Sequence, residues 1–498
     1  MEILGKNCIG YEFSSESKDF FYTYNPNSNT SNEFKIFETS ENEIIRAVSK
    51  AKNAFLIYRN LNGKVRAGFL LKIASKLEIH RNILIQYYQL ETALPIDRAN
   101  NELNRTIFQL QHFSEFISNE NWNFCSKDDR NEHRKPNPKP KLEKRLIPLG
   151  PVVVFGASNF PFAYSTIGGD TVSALAAGCP VIVKSHFMHA GTADLVAQLV
   201  NEAAFETNMP DGIFSNLNSR GIELGQKLVL NTDIKAVGFT GSQKAGLALQ
   251  KLIQSREEVI PFFAEMGSVN PIFITETGYE IKNLVAILAN SITLNAGQFC
   301  TNPGLIFLIK NDNTDSFIEQ LQKKLNENLG QRMIHPNLQD NFVKAATFQA
   351  LNLKKVVEID VNSTEMKPIL QVTDFKMYNE SVNFQQEVFG MHTILVVCNS
   401  IEEFDNVIEN LEGQLTASIF CMEKKYEIAI KLSENLKYKV GRIILNGVPT
   451  GVEVSSSMHH GGPFPATTDS RFTAVGKDAI YRFLRPVAFQ NFPNDIKI

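Results

Sequence analysis

Four places in the sequence carry side chains that could do chemistry. Cys300 sits in NAGQFCTNPG, where glycine and proline mark a turn after a helical stretch. A thiol in such a turn is either a nucleophile, if something favours its thiolate, or a small apolar packing residue. Glu265 ends the apolar run VIPFFAE, just before Met266 and Gly267. A carboxylate at a strand end is either a general base or a solvated edge residue. These two lie 300 − 265 = 35 positions apart, so only the fold can bring them together. Lys184 ends the apolar strand PVIVK, where its ammonium must snorkel to water or meet an anionic or hydroxyl-rich ligand. The fourth place is FTGSQKAG, residues 239–246, between the strand pattern IKAVG and the helical LALQKLI. The backbone amides of Phe239, Thr240, Gly241 and Ser242 at such a turn can face a pyrophosphate. The turn is neither a Walker A loop nor a GxGxxG fingerprint, and a purely structural turn is the competing reading.

The elements that must position these groups are legible as pattern. From about Glu41 to Phe116, apolar residues recur at three- and four-residue spacing, and Asn62-Gly63 separates the first two helices. Residues 126–146 are polar, with Pro136, Pro138 and Pro140 alternating with Lys and Asn. That excludes a helix or a central strand and leaves a solvated linker or a protruding oligomerisation strand. After Pro148, short β-rich runs (VVVF, PVIVKS, GIFSN, IKAVGF) alternate with helical ones, the signature of a parallel sheet covered on both faces. A second such series starts at PIFIT, continues through a helix from Ile281 to Ala296 and a strand at Leu305–Ile309, and ends near Ile443–Leu445.

Bulk properties exclude several classes. A chain of 498 residues exceeds one ordinary core and implies more than one domain. With 43% apolar and 21% charged residues it is neither disordered nor fibrous. A net charge of −3 gives no basic field for nucleic acid or an anionic membrane. No run approaches the roughly 18 apolar residues of a membrane helix, and MEILGKNCIGYEF lacks the pattern of a secretory signal, so a cytoplasmic location is expected. The six cysteines form no CxxC pair, and the adjacent His459 and His460 have no third ligand at metal spacing, so no metal is expected.

Six segments in one order, GASNFPFA (156–163), VIVKSH (181–186), VGFTGS (237–242), FAEMGSVNP (263–271), GQFCTNPG (297–304) and EVFG (387–390), resemble the aldehyde dehydrogenase superfamily over nearly the whole chain. The resemblance implies a doubly wound Rossmann-like cofactor domain (1–125 and 147–265), an α/β catalytic domain (266–465), and a bridging, oligomerising element (126–146 and 466–498). It implies NAD or NADP as cofactor, a small-molecule aldehyde as substrate, and a homodimer or homotetramer. It implies Cys300 as nucleophile, Asn159 with the Cys300 backbone N–H as oxyanion donors, and Glu265 as the base that activates water. The cofactor would be held by Lys184, the 239–242 turn and Gly267, with Glu387 on the nicotinamide ribose and Phe389 beside it. The family often has a glutamate where Phe187 stands; its absence admits a 2′-phosphate, for which Lys184 and Arg220 are the candidate partners.

A narrower likeness, carried by residues 148–186 and 449–493 with the block HGGPFPATTDSR, is to the branch of 2,5-dioxopentanoate (α-ketoglutaric semialdehyde) dehydrogenases. In that block Gly461, Gly462, Thr467, Thr468 and Arg471 are expected to help recognise a substrate carboxylate. An NADP-dependent fatty aldehyde dehydrogenase would keep the same catalytic residues. A non-catalytic relative of the same fold should have lost Cys300 or Glu265, and both are present.

Overall fold

The computed structural model describes residues 1–119, 122–275, 281–353, 363–422 and 426–493. Two parallel sheets organise the chain. The first has seven strands, in the order Phe262–Glu265, Ala236–Thr240, Val152–Phe155, Val181–Lys184, Phe214–Leu217, Asn7–Ile9, Glu12–Ser14. Its first five strands are parallel, and the N-terminal hairpin adds antiparallel to Phe214–Leu217. Strands such as Val152–Phe155 and Val181–Lys184 are buried on both faces, which explains why they read as continuous apolar runs rather than alternating ones. The order of connection reverses at Val152–Phe155, flanked by Val181–Lys184 on one side and Ala236–Thr240 on the other. A crevice opens beyond the carboxyl ends of strands at such a reversal, and Lys184, Thr240 and Glu265 all end strands there.

The helical N-terminal stretch resolves into Glu41–Tyr58, Gly63–Ile79, Arg81–Thr92 and Ile96–Ser118. Ser40 starts the first through a capping box with Glu43, and Asn62 caps the second. Buried Tyr58, Phe69, Leu70 and Phe113 pack with Val152 and Val154 in one core. The second sheet has six strands, all parallel, in the order Ile369–Asp374, His392–Cys398, Leu305–Ile309, Ile272–Ile274, Gln414–Phe420, Val440–Leu445.

A third, antiparallel sheet joins Phe124–Asp128, Leu142–Pro148 and Leu484–Gln490. Leu142–Pro148 is its middle strand; Pro136, Pro138 and Pro140 lie in the connection before it, where no ladder donor is required. The 3-10 helix Lys477–Phe483 is part of the first core: Ala479, Ile480 and Phe483 are buried there, and the Arg482 guanidinium meets Asp170 at 2.7 Å. The segment before it lies along the edge of the first sheet. Met266 N–H donates to Ala466 O (2.8 Å), Ala264 N–H donates to Thr468 Oγ1 (2.9 Å), and Glu265 bridges to Thr467. Among the described residues no helix is long and apolar enough to cross a membrane, and no group of three or more His, Cys, Asp or Glu could hold a metal ion.

Candidate active site

A cleft of about 570 Å³ runs from the crevice of the first sheet to Cys300. Every residue singled out above as catalytic or cofactor-binding lines it, except Arg220.

The Cys300 loop is built by unusual backbone. Helix Ile281–Thr293 ends in three consecutive left-handed residues, Asn295 (φ 49°), Ala296 (φ 58°) and Gly297 (φ 67°), a conformation that costs a residue other than glycine about 1–2 kcal/mol. A Cβ on Gly297 would lie 2.3 Å from the carbonyl carbon of Gly390, so the bare backbone lets this loop close on the segment that carries Glu387 and Phe389. Asn302 Nδ2 donates to Gly390 O (3.0 Å), fixing that approach. Asn270, itself left-handed (φ 45°), donates from Nδ2 to Cys300 O (2.8 Å) and Asn302 O (3.0 Å), while its Oδ1 accepts from Ser268 and Thr416. The Cys300 carbonyl is thus tied to the strand-end segment that follows Glu265.

The Cys300 thiol faces His460, with Sγ 3.9 Å from Nε2. Burial, reinforced by Glu387 and Glu265, pushes the thiol up to about 12, while Arg442 draws it down. Burial, with Arg442 and Arg105 nearby, pulls His460 down to about 3, so its ring is neutral near pH 7. Asn159 is 8% exposed and donates from Nδ2 to Gln298 O (2.9 Å), which positions its amide against the Cys300 loop. Glu265 is also 8% exposed, its Oε2 has no hydrogen-bond partner, and burial holds its carboxyl well above the usual carboxylate range. Burial therefore favours its protonated form, and Oε2 is an oxygen without a partner that an incoming group can meet.

Glu387 stands across from Gly267. Burial raises its carboxyl to about 8, offset by the Ser268 N–H that donates to it. Phe389 lines the same stretch. At the other end, Lys184 Nζ donates to Ser219 O (2.7 Å) and burial lowers it to about 8. Phe239 is buried against Phe155 and Phe262, and a Cβ on Gly241 would meet its ring at 2.7 Å, so glycine there keeps the Thr240–Ser242 turn tight. Ser242 Oγ accepts from Ala245 N–H (3.4 Å) and caps helix Gln243–Gln254.

Arg220 is exposed at the rim beside Gly221 and Ile222, which do line the cleft, and its backbone N–H donates to Glu38 Oε1 (3.1 Å). Phe187 stacks on His186 and packs edge-on against His335. Arg471 lies away from the cleft: its side chain is 79% exposed and forks onto Asp469, so the expected role for it at the site gives way to a local surface pair. Sequence reasoning weighed His460 only as a metal ligand and did not single out Asn270. For Asn270 the signal was present, since an asparagine before Pro271 in the quoted FAEMGSVNP segment is a residue suited to a left-handed turn.

Two largely parallel sheets and a cleft holding a thiol, a buried carboxyl group and a strand-to-helix turn fit an α/β enzyme that binds a nucleotide, and sequence comparison specifies the class: the chain belongs to the aldehyde dehydrogenase family, whose profile matches residues 13–464. It is similar to alpha-ketoglutaric semialdehyde dehydrogenase 2 of Azospirillum brasilense, 37% identical over 504 aligned residues that cover 100% of this chain and 96% of the relative. It is also similar to the alpha-ketoglutaric semialdehyde dehydrogenase of Acinetobacter baylyi, 39% identical over 90% of this chain and 86% of the relative. In fold it matches a betaine aldehyde dehydrogenase variant from Staphylococcus aureus in complex with NAD+, with TM-score 0.82, 18% identity, and coverage of 99% of this chain and 97% of that one.

Proposed function

We propose that the protein oxidises 2,5-dioxopentanoate to 2-oxoglutarate with NAD or NADP, Cys300 acting as nucleophile. The observation that carries this reading is the convergence of Cys300, Glu265 and the 239–242 turn on one cleft in a chain 37–39% identical to enzymes that bear the name alpha-ketoglutaric semialdehyde dehydrogenase. The cleft suits a dinucleotide. Ile222, Ala245, Leu249 and Leu252 offer an apolar slot beside the turn, Lys184 has ammonium donors beyond the one given to Ser219, and Glu387 offers a carboxylate to ribose hydroxyls. Lys184, Phe239, Thr240, Gly241, Ser242, Gly267, Glu387 and Phe389 would hold it, with Arg220 reaching a 2′-phosphate from the rim. The seven-stranded unit is then the cofactor domain, the six-stranded unit the catalytic domain, and the three-stranded sheet the element through which copies of the chain associate.

The chain's own residues account for the chemistry as follows. The Cys300 thiolate attacks the aldehyde carbon, forming a C–S bond, and the carbonyl oxygen becomes an oxyanion that takes hydrogen bonds from the Asn159 amide and the Cys300 N–H. A bound nicotinamide dinucleotide supplies the hydride acceptor that turns this adduct into a thioester. Glu265, once ionised, takes one proton from water; the water oxygen attacks the thioester carbon, the C–S bond breaks with the thiolate restored, and the carboxylic acid so formed gives its remaining proton to solvent and leaves as the carboxylate.

The experiment is a kcat/KM comparison, by absorbance of the reduced cofactor, for 2,5-dioxopentanoate, succinic semialdehyde, hexanal and decanal with each cofactor. The carboxylated aldehydes should lead. Hexanal or decanal ahead of both by about tenfold, roughly 1.4 kcal/mol at the transition state, would replace this reading with a fatty aldehyde dehydrogenase.

A further inference from the structure

Two guanidinium groups stand on the Tyr164 side of Cys300 and have no role in the chemistry above. Arg105, from helix Ile96–Ser118, donates to the Tyr164 hydroxyl (3.1 Å) and to Val452 O. Arg442, from strand Val440–Leu445, donates to Pro449 O (2.6 Å) and Gly451 O (3.0 Å). Two arginines far apart in sequence therefore grip three carbonyls of the same 449–452 loop, those of Pro449, Gly451 and Val452. That loop adjoins the site: the Tyr164 ring lies 6.2 Å from the ring of His460, whose Nε2 faces the Cys300 sulfur at 3.9 Å.

The charge around these arginines is not balanced. Both are partly buried, and among the described residues neither pairs with a carboxylate; their acceptors are a hydroxyl and backbone carbonyls. Arg98, about two helical turns before Arg105, shows the contrast: it pairs with Glu102 at 3.5 Å and lies over the Phe160 ring. Partly desolvated cations that meet only neutral oxygens favour an anion that can reach them. A guanidinium has five N–H donors, and each of these two spends part of its fork on the loop, leaving N–H groups for a planar carboxylate. The site's carboxylates, Glu265 and Glu387, are already placed by the strand end and by Ser268. The charge of Arg442 is felt at both the Cys300 sulfur and the Tyr164 hydroxyl.

We infer that Arg105 and Arg442 form an anion subsite that takes the far carboxylate of the aldehyde substrate, with the 449–452 loop as its frame; this rests on the semialdehyde reading above. The aldehyde and carboxylate carbons of an extended five-carbon chain are about 5 Å apart, four zigzag bonds of about 1.5 Å, which is the reach such a subsite requires. An alkyl tail in the same place would desolvate two cations without replacing their lost water, so the subsite selects against uncharged aldehydes as well as for charged ones.

The test uses the purified full-length chain and four single variants: Arg105→Met, Arg442→Met, Arg442→Lys, and Arg471→Ala as a surface control. Each is assayed for kcat/KM with 2,5-dioxopentanoate and with pentanal, an uncharged aldehyde of equal carbon number, and its thermal midpoint is recorded. The wild-type chain should prefer 2,5-dioxopentanoate, and each Met variant should lower that preference ratio by about tenfold or more, chiefly through KM. Arg442→Lys should keep more of the ratio than Arg442→Met, and Arg471→Ala should keep all of it. If the arginines only support the loop, both substrates lose equally; a ratio that stays within about threefold in both Met variants, with the wild type still preferring the carboxylated aldehyde, overturns the subsite and leaves the semialdehyde reading standing. A wild type with no preference overturns that reading and the subsite with it. Should a Met variant fail to fold, the ratio measured for Arg442→Lys decides: unchanged, it overturns the subsite.

Discussion

Glu387 occupies its place because position 267 carries no side chain: a Cβ on Gly267 would lie 2.3 Å from Glu387 Oε2 and 3.0 Å from Cδ. The carboxyl group is packed against the backbone of the turn whose next N–H, that of Ser268, donates to it. A methyl at 267 forces the carboxyl away and breaks that bond.

Gly267→Ala is therefore expected to weaken dinucleotide binding by about tenfold, the equivalent of roughly 1.4 kcal/mol, with little change in thermal midpoint. Titration calorimetry of the variant against NAD and NADP checks it. An unaltered Kd would show that Glu387 does not hold the cofactor.

The Cys300 thiol, raised to about 12 by burial, should be a poor nucleophile in the free protein. Its alkylation by iodoacetamide should accelerate by about tenfold per pH unit between pH 7 and 10, because the thiolate fraction grows in that proportion. Cys300→Ala should abolish both the labelling of this position and aldehyde oxidation while dinucleotide binding persists. A pH-independent labelling rate would mean that the thiolate is already formed in the free protein.

Burial raises the Glu265 carboxyl above the usual carboxylate range, so the fraction ionised and able to act as a base keeps growing as pH rises beyond that range. The hydrolytic half of the reaction should speed up with increasing pH over a range where an ordinary carboxylate would already be flat. Glu265→Gln should remove that rise and give a burst of reduced cofactor followed by turnover slowed by about 100-fold or more. Stopped-flow traces that lack a burst would assign Glu265 to an earlier step.

Asn270→Ala loses the two hydrogen bonds its amide gives to the carbonyls of Cys300 and Asn302 and the two its oxygen takes from Ser268 and Thr416, and places an alanine at φ 45° without those compensating contacts. At about 1 kcal/mol for each of the four bonds and about 1–2 kcal/mol for the backbone, chemical denaturation should show a loss of roughly 5 kcal/mol. Asn270→Gly should recover the backbone part alone, and equal losses in the two variants would refute the division.

The sequence made visible what is local. Cys300, Glu265 and the 239–242 turn each lie in a short run whose residues also define the surrounding backbone, so residue type and position could be read together. The two parallel sheets were legible for the same reason, since buried β-rich runs are punctuated by helices. His460 was not, because its meeting with Cys300 spans 160 positions and depends on the 454–474 segment lying along the strand of Glu265. Nor were Arg105 and Arg442, which sit in an ordinary amphipathic helix and an ordinary strand and become a pair only through the loop both of them hold. The N-terminal hairpin escaped because its three-residue strands are too short to show a period. Arg220 was expected at the cofactor, yet its sequence neighbours rather than its own side chain line the cleft.

The three-stranded sheet sets an order of events during synthesis. Its middle strand, Leu142–Pro148, pairs along its full length with Leu484–Gln490. Those partners are separated by most of the chain, so one flank of the middle strand stays uncovered on the ribosome until both parallel sheets have been translated. Long-range pairing of this kind closes late and exposes a strand edge meanwhile. The polar and charged residues that surround this strand, Lys139, Lys141, Glu143, Lys144 and Arg145 among them, are then a safeguard for the nascent polypeptide, keeping the waiting edge from pairing with a neighbour before its own last strand arrives.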